Sequence, residues 1–184
     1  MILRNGKIYI SHAAGDEALY AALVTKLAEK HVNCWTAIDA EDSDSQLSAR
    51  TQQELAGRDV LLRICTPAAK QSARMRLETA AYRAIQQEDA NRGAANQHII
   101  IDLIMDPAYT PDPADPAYQT LNTTNRPMND WLIVLYNEVG RMQAKRALSQ
   151  RAMTILVIVC VIIALLLIFF VTFNFAHSLA NRAR

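Results

Sequence analysis

In the stretch SARMRLETAAYRAI, residues 72–85, Met75, Tyr82 and Ile85 recur at helical spacing and define an apolar face, and Glu78 falls on the same side. A carboxylate in that position has two readings. In one it pairs with Arg74, one turn earlier, on a solvated surface, an arrangement worth a few tenths of a kcal/mol. In the other it is a functional carboxylate in a cleft, where one negative charge stabilises positive charge developing on a substrate. Residue spacing leaves both open. Reach depends on where the helix begins: from Pro67, Glu78 would lie about 16 Å along it, far from the preceding strand. With Ser72 as N-cap, Glu78 falls in the second turn, near the strand ends, and this is the expected arrangement.

Other chemistries find little support. The chain has five glycines and contains neither G-x-G-x-x-G nor G-x-x-x-x-G-K-[ST], so the usual phosphate cradles are missing. His12, His31, His98 and His177 have no metal-ligand spacing with cysteine. Cys34, Cys65 and Cys160 form no C-x-x-C pair and are odd in number, which argues against a disulfide framework and fits a reducing compartment. Neither a metal nor a cofactor is expected.

The elements that must position Glu78 alternate along the chain. KIYIS (residues 7–11) reads as a strand, and GDEALYAALVTKLAEK as a helix with Asp16 at its N-cap and Leu19, Leu23 and Leu27 on one face. VNCWTAI (residues 32–38) reads as the second strand. It leads into the acidic loop DAEDSDSQ and a short helix ending near Gly57. VLLRICT (residues 60–66) is the third strand, the Glu78 helix runs to about Gln87, and HIIIDLIM (residues 98–105) is the fourth. Five of the six prolines fall between Pro107 and Pro127, which predicts a long irregular stretch with YQTLNTT as an edge strand inside it. A last helix is expected from Asp130, with Trp131, Leu135, Val139 and Met142 on one face. Strand–helix alternation implies right-handed crossovers and an α/β fold: a flavodoxin-like five-stranded parallel sheet, order 2-1-3-4-5, flanked by helices. Its ligand edge, beyond the carboxyl ends of strands 1 and 3, would gather residues 11–15, 39–45 and 66–72.

Three segments together resemble one family. IYISHAAGDEALYAALVTKLAE is similar to the opening of a Toll/interleukin-1 receptor (TIR) domain, and VNCWTAIDAED to that family's second strand and BB loop. RDVLLRICTPAAKQSARMRLETA places Thr66, Pro67, Ser72 and Glu78 on the family pattern S-P-x-x-x-x-S-x-W-C-x-x-E. The resemblance spans about residues 5–140. It departs from the pattern at Arg74 and Met75, which stand where the family has Trp-Cys, at Asp44, where a glycine is usual, and at His12, where the family often has Tyr. The resemblance implies that Glu78 is the catalytic residue of an NAD-cleaving enzyme. NAD is then the substrate, and TIR domains of neighbouring subunits associate to complete the cleft. Ser11, His12, Asp39, Asp44 and Ser72 are the candidate ligand-binding residues. His12 either stacks on or hydrogen-bonds the nucleotide or acts as a local cap, and Ser11 either meets ligand or satisfies its turn. The acidic loop of Asp39, Glu41, Asp42 and Asp44 is either solvated, or it gates the cleft or docks on the next subunit. A second implied class is a non-enzymatic TIR module that signals by binding other TIR domains.

The far end has a different character. AMTILVIVCVIIALLLIFFVTF, residues 152–173, contains no charge, and as a helix it would be about 33 Å long, enough to cross a bilayer. The expected organisation is a TIR-like domain over 1–140, a basic juxtamembrane helix over 141–151, a transmembrane helix over 152–175 and a tail over 176–184. Arg141, Lys145, Arg146 and Arg151 precede the span and only Arg182 and Arg184 follow it, a bias that keeps the N-terminal domain cytoplasmic in a single-pass inner or plasma membrane protein. MILRNGKIYI carries no long apolar signal region. Three of the 19 Lys and Arg lie from Arg151 onward, with no acidic residue beside them. Residues 1–150 therefore hold 16 basic and 18 acidic residues, a formal −2, which offers no surplus for a nucleic-acid backbone. A membrane-tethered TIR domain of this kind resembles a bacterial defence effector.

Overall fold

A computed structural model describes residues 7–36, 45–93, 98–137, 139–141, 154–155 and 158–163. The chain divides into two compact units, Met1–Arg141 and Met142–Arg184.

The first unit is built on a five-stranded parallel sheet in the expected order, β2-β1-β3-β4-β5. Its elements follow as β1 (Lys7–Ser11), α1 (Glu17–Ala28), β2 (Asn33–Trp35), α2 (Ala49–Ala56), β3 (Val60–Cys65), α3 (Pro67–Gln71), α4 (Ala73–Asn91), β4 (Ile99–Ile104) and β5 (Gln119–Asn122). β3 and β4 are buried along their whole length, which explains why VLLRIC and IIIDLI read as near-continuous apolar runs rather than as alternating ones. Tyr9, Leu55, Leu61, Tyr82 and Ile100 form the core between the sheet and the α2–α4 layer. Residues 128–137 and 139–141 are helical, starting two residues before the expected Asp130, and bury Trp131, Leu132, Leu135 and Val139.

Two polar residues interrupt the apolar run. Arg63 of β3 and Asp102 of β4 are register partners, joined by Nε to Oδ1 at 2.6 Å and Nη2 to Oδ2 at 3.0 Å. Arg63 also donates to Asp115, which Arg83 of α4 reaches at 3.0 Å, so the proline-rich stretch is fastened to both sheet and helix.

The boundaries refine the sequence reading. β2 is shorter than expected, since Thr36 has left the strand and residues 37–44 lie outside the described residues. α4 runs four residues beyond Gln87. Asp16 occupies the N-cap position of α1 without capping it. Its carboxylate instead accepts the Thr66 hydroxyl from the end of β3 at 2.7 Å, and Glu17 takes the Gly15 N–H at 2.8 Å. A longer-range partner outcompetes the local cap. Gly15 itself has φ +98°, a left-handed turn from β1 into α1 that a side chain would strain.

In the second unit residues 154–155 and 158–163 are helical, and Ile155, Ile158, Val159, Val161, Ile162 and Ile163 are exposed. Among the described residues no helix is long and apolar enough to cross a membrane. Most of the expected span over 152–175, the juxtamembrane residues from 142 and the tail over 176–184 lie outside the described residues.

Candidate functional site at the β1–β3 switch point

The side-chain period of a strand is two, so Tyr9 and Ser11 of β1 stand on one face. Both hydroxyls converge on Glu78. Tyr9 Oη donates to Glu78 Oε1 at 2.6 Å, and Ser11 Oγ donates to Oε2. Glu78 reaches them because the chain breaks between α3 and α4. Thr66 caps α3 by accepting the Ala69 N–H at 3.3 Å. Ser72, with extended backbone, ends that short helix and caps α4 by accepting the Met75 N–H at 3.2 Å. Glu78 thus lies in the second turn of α4, as the Ser72 start predicts. A helix running unbroken from Pro67 would have carried it away from β1.

The structure bears out the pairing of Glu78 with Arg74 but not the solvated surface. Arg74 does pair with it, Nε to Oε1 at 3.0 Å, but the carboxylate is 1% exposed and so is not on a solvated surface. Burial pushes the Glu78 carboxyl above the usual carboxylate range, opposed by the hydrogen bonds from Ser11 and Tyr9 and by the Arg74 charge. Burial likewise pushes the Tyr9 phenol up, reinforced by the negative charge of Glu78. Three donors therefore favour the ionised form of a carboxylate that its surroundings would otherwise neutralise.

Beside this cluster is a hollow of about 520 Å³, lined by His12, Glu17, Gln71, Ser72 and Arg74 among others. Its size suits a small-molecule ligand. Glu78 is not part of the lining; Arg74 stands between the carboxylate and the open space. His12 presents its ring stacked on Tyr20, centroids 4.5 Å apart and planes 7° apart, with Nδ1 3.4 Å from Thr36 Oγ1. Burial, and then the Arg74 charge, lower the His12 pKa, so the imidazole is neutral at pH 7 and serves as a hydrogen-bonding wall rather than a cation. Ser11 turns its hydroxyl to Glu78, and Ser72 both caps α4 and lines the hollow. Asp39 and Asp44 lie outside the described residues.

A larger hollow, about 670 Å³, lies along the other side of the α3–α4 wall, among Cys65, Met75, Thr79 and Tyr109. Burial pushes its Cys65 thiol up to about 12, so the sulfur stays protonated at neutral pH and is a poor nucleophile. Among the described residues no three His, Cys, Asp or Glu side chains are placed to hold a metal ion. Size and chemistry thus point to different hollows, and the buried carboxylate decides for the smaller one.

Two participants escaped the sequence reading. Tyr9 was legible in principle, because the two-residue period of a strand puts it on the same face as Ser11. Arg74 was seen as a partner of Glu78 but not as part of a cavity wall, which depends on how α3 and α4 meet.

A doubly wound domain of order 2-1-3-4-5, with a ligand-sized hollow and a buried carboxylate at the switch between β1 and β3, belongs to the flavodoxin-like class of binding folds. Residues 8–131 match the TIR domain family, more than half of the chain, and the chain belongs to that family. No curated relative matches the chain.

Proposed function

We propose that this chain is a membrane-anchored NAD+ nucleosidase, activated when its TIR domains self-associate, and that it serves as an immune, anti-phage effector whose output is loss of NAD. The placement of Glu78 carries the reading. A buried carboxylate accepts two hydroxyls from β1 and pairs with a guanidinium, one side chain away from a ligand-sized hollow.

The chemistry asks for little more. As the ribose–nicotinamide bond breaks, its electron pair leaves with nicotinamide, which departs as a neutral pyridine and needs no general acid. Positive charge gathers on the ribose, as in glycoside hydrolysis, and the Glu78 carboxylate stabilises it from a site largely free of water. Water then bonds to the sugar's anomeric carbon and releases its proton to solvent, giving ADP-ribose. Attack by a group of the same molecule would give a cyclic product instead. NAD is the substrate, and the scheme calls for neither a metal nor a cofactor.

Exposed apolar side chains on helical residues 155 and 158–163 and the four-to-two charge bias around the apolar stretch support an anchor over 152–175 with the TIR domain on the cytoplasmic side. Tethering confines the domains to two dimensions and raises their effective concentration, which favours assembly. The test uses full-length protein in detergent, with and without induced clustering. Glu78→Gln should lower nicotinamide release by roughly 100-fold or more while the unfolding transition is retained. Equal release by variant and wild type rejects the catalytic assignment.

A second reading, a non-enzymatic TIR interaction module, is favoured by one observation: both Glu78 oxygens already have protein partners, as in a structural ion pair. Clustered protein that leaves NAD intact while still self-associating would select it.

A further inference from the structure

Arg74 faces two ways. Its Nε holds Glu78 at 3.0 Å, while the side chain, 30% exposed, lines the hollow next to Ser72. Among the described residues of that lining it is the one permanent cation, since His12 is held neutral and the only carboxylate, Glu17, takes the Gly15 N–H. Its position on the helix is a poor one for a positive charge. Arg74 is the second residue of a 19-residue helix, where the macrodipole disfavours a cation and favours an anion. The order of the pair, Arg preceding Glu by four, is also the weaker of the two orders. The contact with Glu78 is thus one that a better anion could displace. Glu78 would not be orphaned by the exchange, because Tyr9 and Ser11 still donate to it.

We infer that Arg74 is the specificity-determining residue of this site: it covers Glu78 in the empty protein and transfers its guanidinium to the phosphates of an incoming nucleotide, which uncovers the carboxylate for the sugar. This rests on the reading of the site as NAD-cleaving. It makes a phosphate-bearing substrate its own key, and it selects dinucleotides and mononucleotides over nucleosides that carry the same scissile bond. It also gives a role to the residue that replaces the aromatic side chain of the family pattern.

The test compares three substrates, NAD, nicotinamide mononucleotide and nicotinamide riboside, with clustered full-length wild type, Arg74→Gln and Arg74→Lys. Arg74→Gln should raise KM for NAD and for the mononucleotide by about tenfold or more, the loss expected for a charge-assisted contact to phosphate. The riboside has no phosphate for Arg74 to hold, so its KM should rise far less than the KM for NAD. Arg74→Lys should recover part of the KM effect. The acid limb of the kcat/KM profile, which reports the free enzyme, should move to higher pH in Arg74→Gln, since the carboxylate has lost a nearby cation. An equal loss on all three substrates would reduce Arg74 to a structural residue and overturn the inference, as would an unchanged KM for NAD. If wild type cleaves none of the three, the nucleosidase reading falls by itself. Calorimetric NAD binding then decides the role of Arg74: tighter binding by wild type than by Arg74→Gln upholds phosphate capture, and equal binding rejects it.

Discussion

Tyr9→Phe isolates one bond at the centre of the site. Tyr9 is fully buried and packs its ring against Trp35 at 5.1 Å between centroids, a contact that Phe retains. What the substitution removes is the hydroxyl that donates to Glu78 at 2.6 Å. A hydrogen bond to a charged group contributes about 1.5–3 kcal/mol net. Taking roughly 2 kcal/mol, and about 4 °C per kcal/mol for a domain of this length, the melting temperature should fall by about 8 °C at pH 8. In a Glu78→Gln background the same substitution removes only a neutral hydrogen bond, about 1 kcal/mol or near 4 °C. The difference measures the charge on residue 78, as in a double-mutant cycle.

The pH dependence has a definite sign. Glu78 has a folded-state pKa above its unfolded value, so folding favours the protonated acid. Its contribution to stability is therefore greatest below the unfolded carboxylate pKa and is lost as pH rises through the folded value. Removing the Tyr9 donor raises the folded value further, so the acid limb of nicotinamide release should move to higher pH in Tyr9→Phe. Chemical denaturation from pH 4 to 8 and a pH–rate profile provide both readouts. An equal loss of stability in the wild-type and Glu78→Gln backgrounds, together with an unmoved acid limb, would refute the claim that the Tyr9 hydroxyl favours the ionised form of Glu78.

Two further outcomes follow from the geometry. Asp102→Ala leaves Arg63 buried with only the partly exposed Asp115 to oppose it, and should destabilise the domain by about 3 kcal/mol, whereas the paired change Arg63→Met with Asp102→Leu should recover most of that loss; urea midpoints of the three proteins would decide it. Truncation after residue 151 should move the protein from the membrane to the soluble fraction on flotation, and a truncated protein that still floats with lipid would remove residues 152–175 as the anchor.

The sheet was legible because each strand carries a local signal. IIIDLI and VLLRIC are too short for helices of that apolarity, and KIYIS is aromatic and β-branched. The turn chemistry of Ser72 likewise spoke for itself, and with it the depth of Glu78 along α4. What stayed hidden depended on encounters between distant segments. Nothing near Asp16 in the sequence announces that Thr66, fifty residues on, will take the carboxylate meant for a cap. Nor does the one-turn spacing of Arg74 and Glu78 reveal whether their pair meets water. That follows only from Tyr9 and Ser11 closing over the carboxylate from β1.

The interruption at Ser72 divides the segment after β3 into two parts with separate tolerances. A residue inserted within 67–71 can be absorbed in the short lead-in helix, because the next turn is nucleated afresh by the serine hydroxyl. One inserted between 73 and 77 has no such refuge. It would swing the carboxylate by about 100° around the helix axis and point it away from the two hydroxyls that receive it. Length variation in this protein should therefore accumulate ahead of the serine and be purged within the five positions behind it.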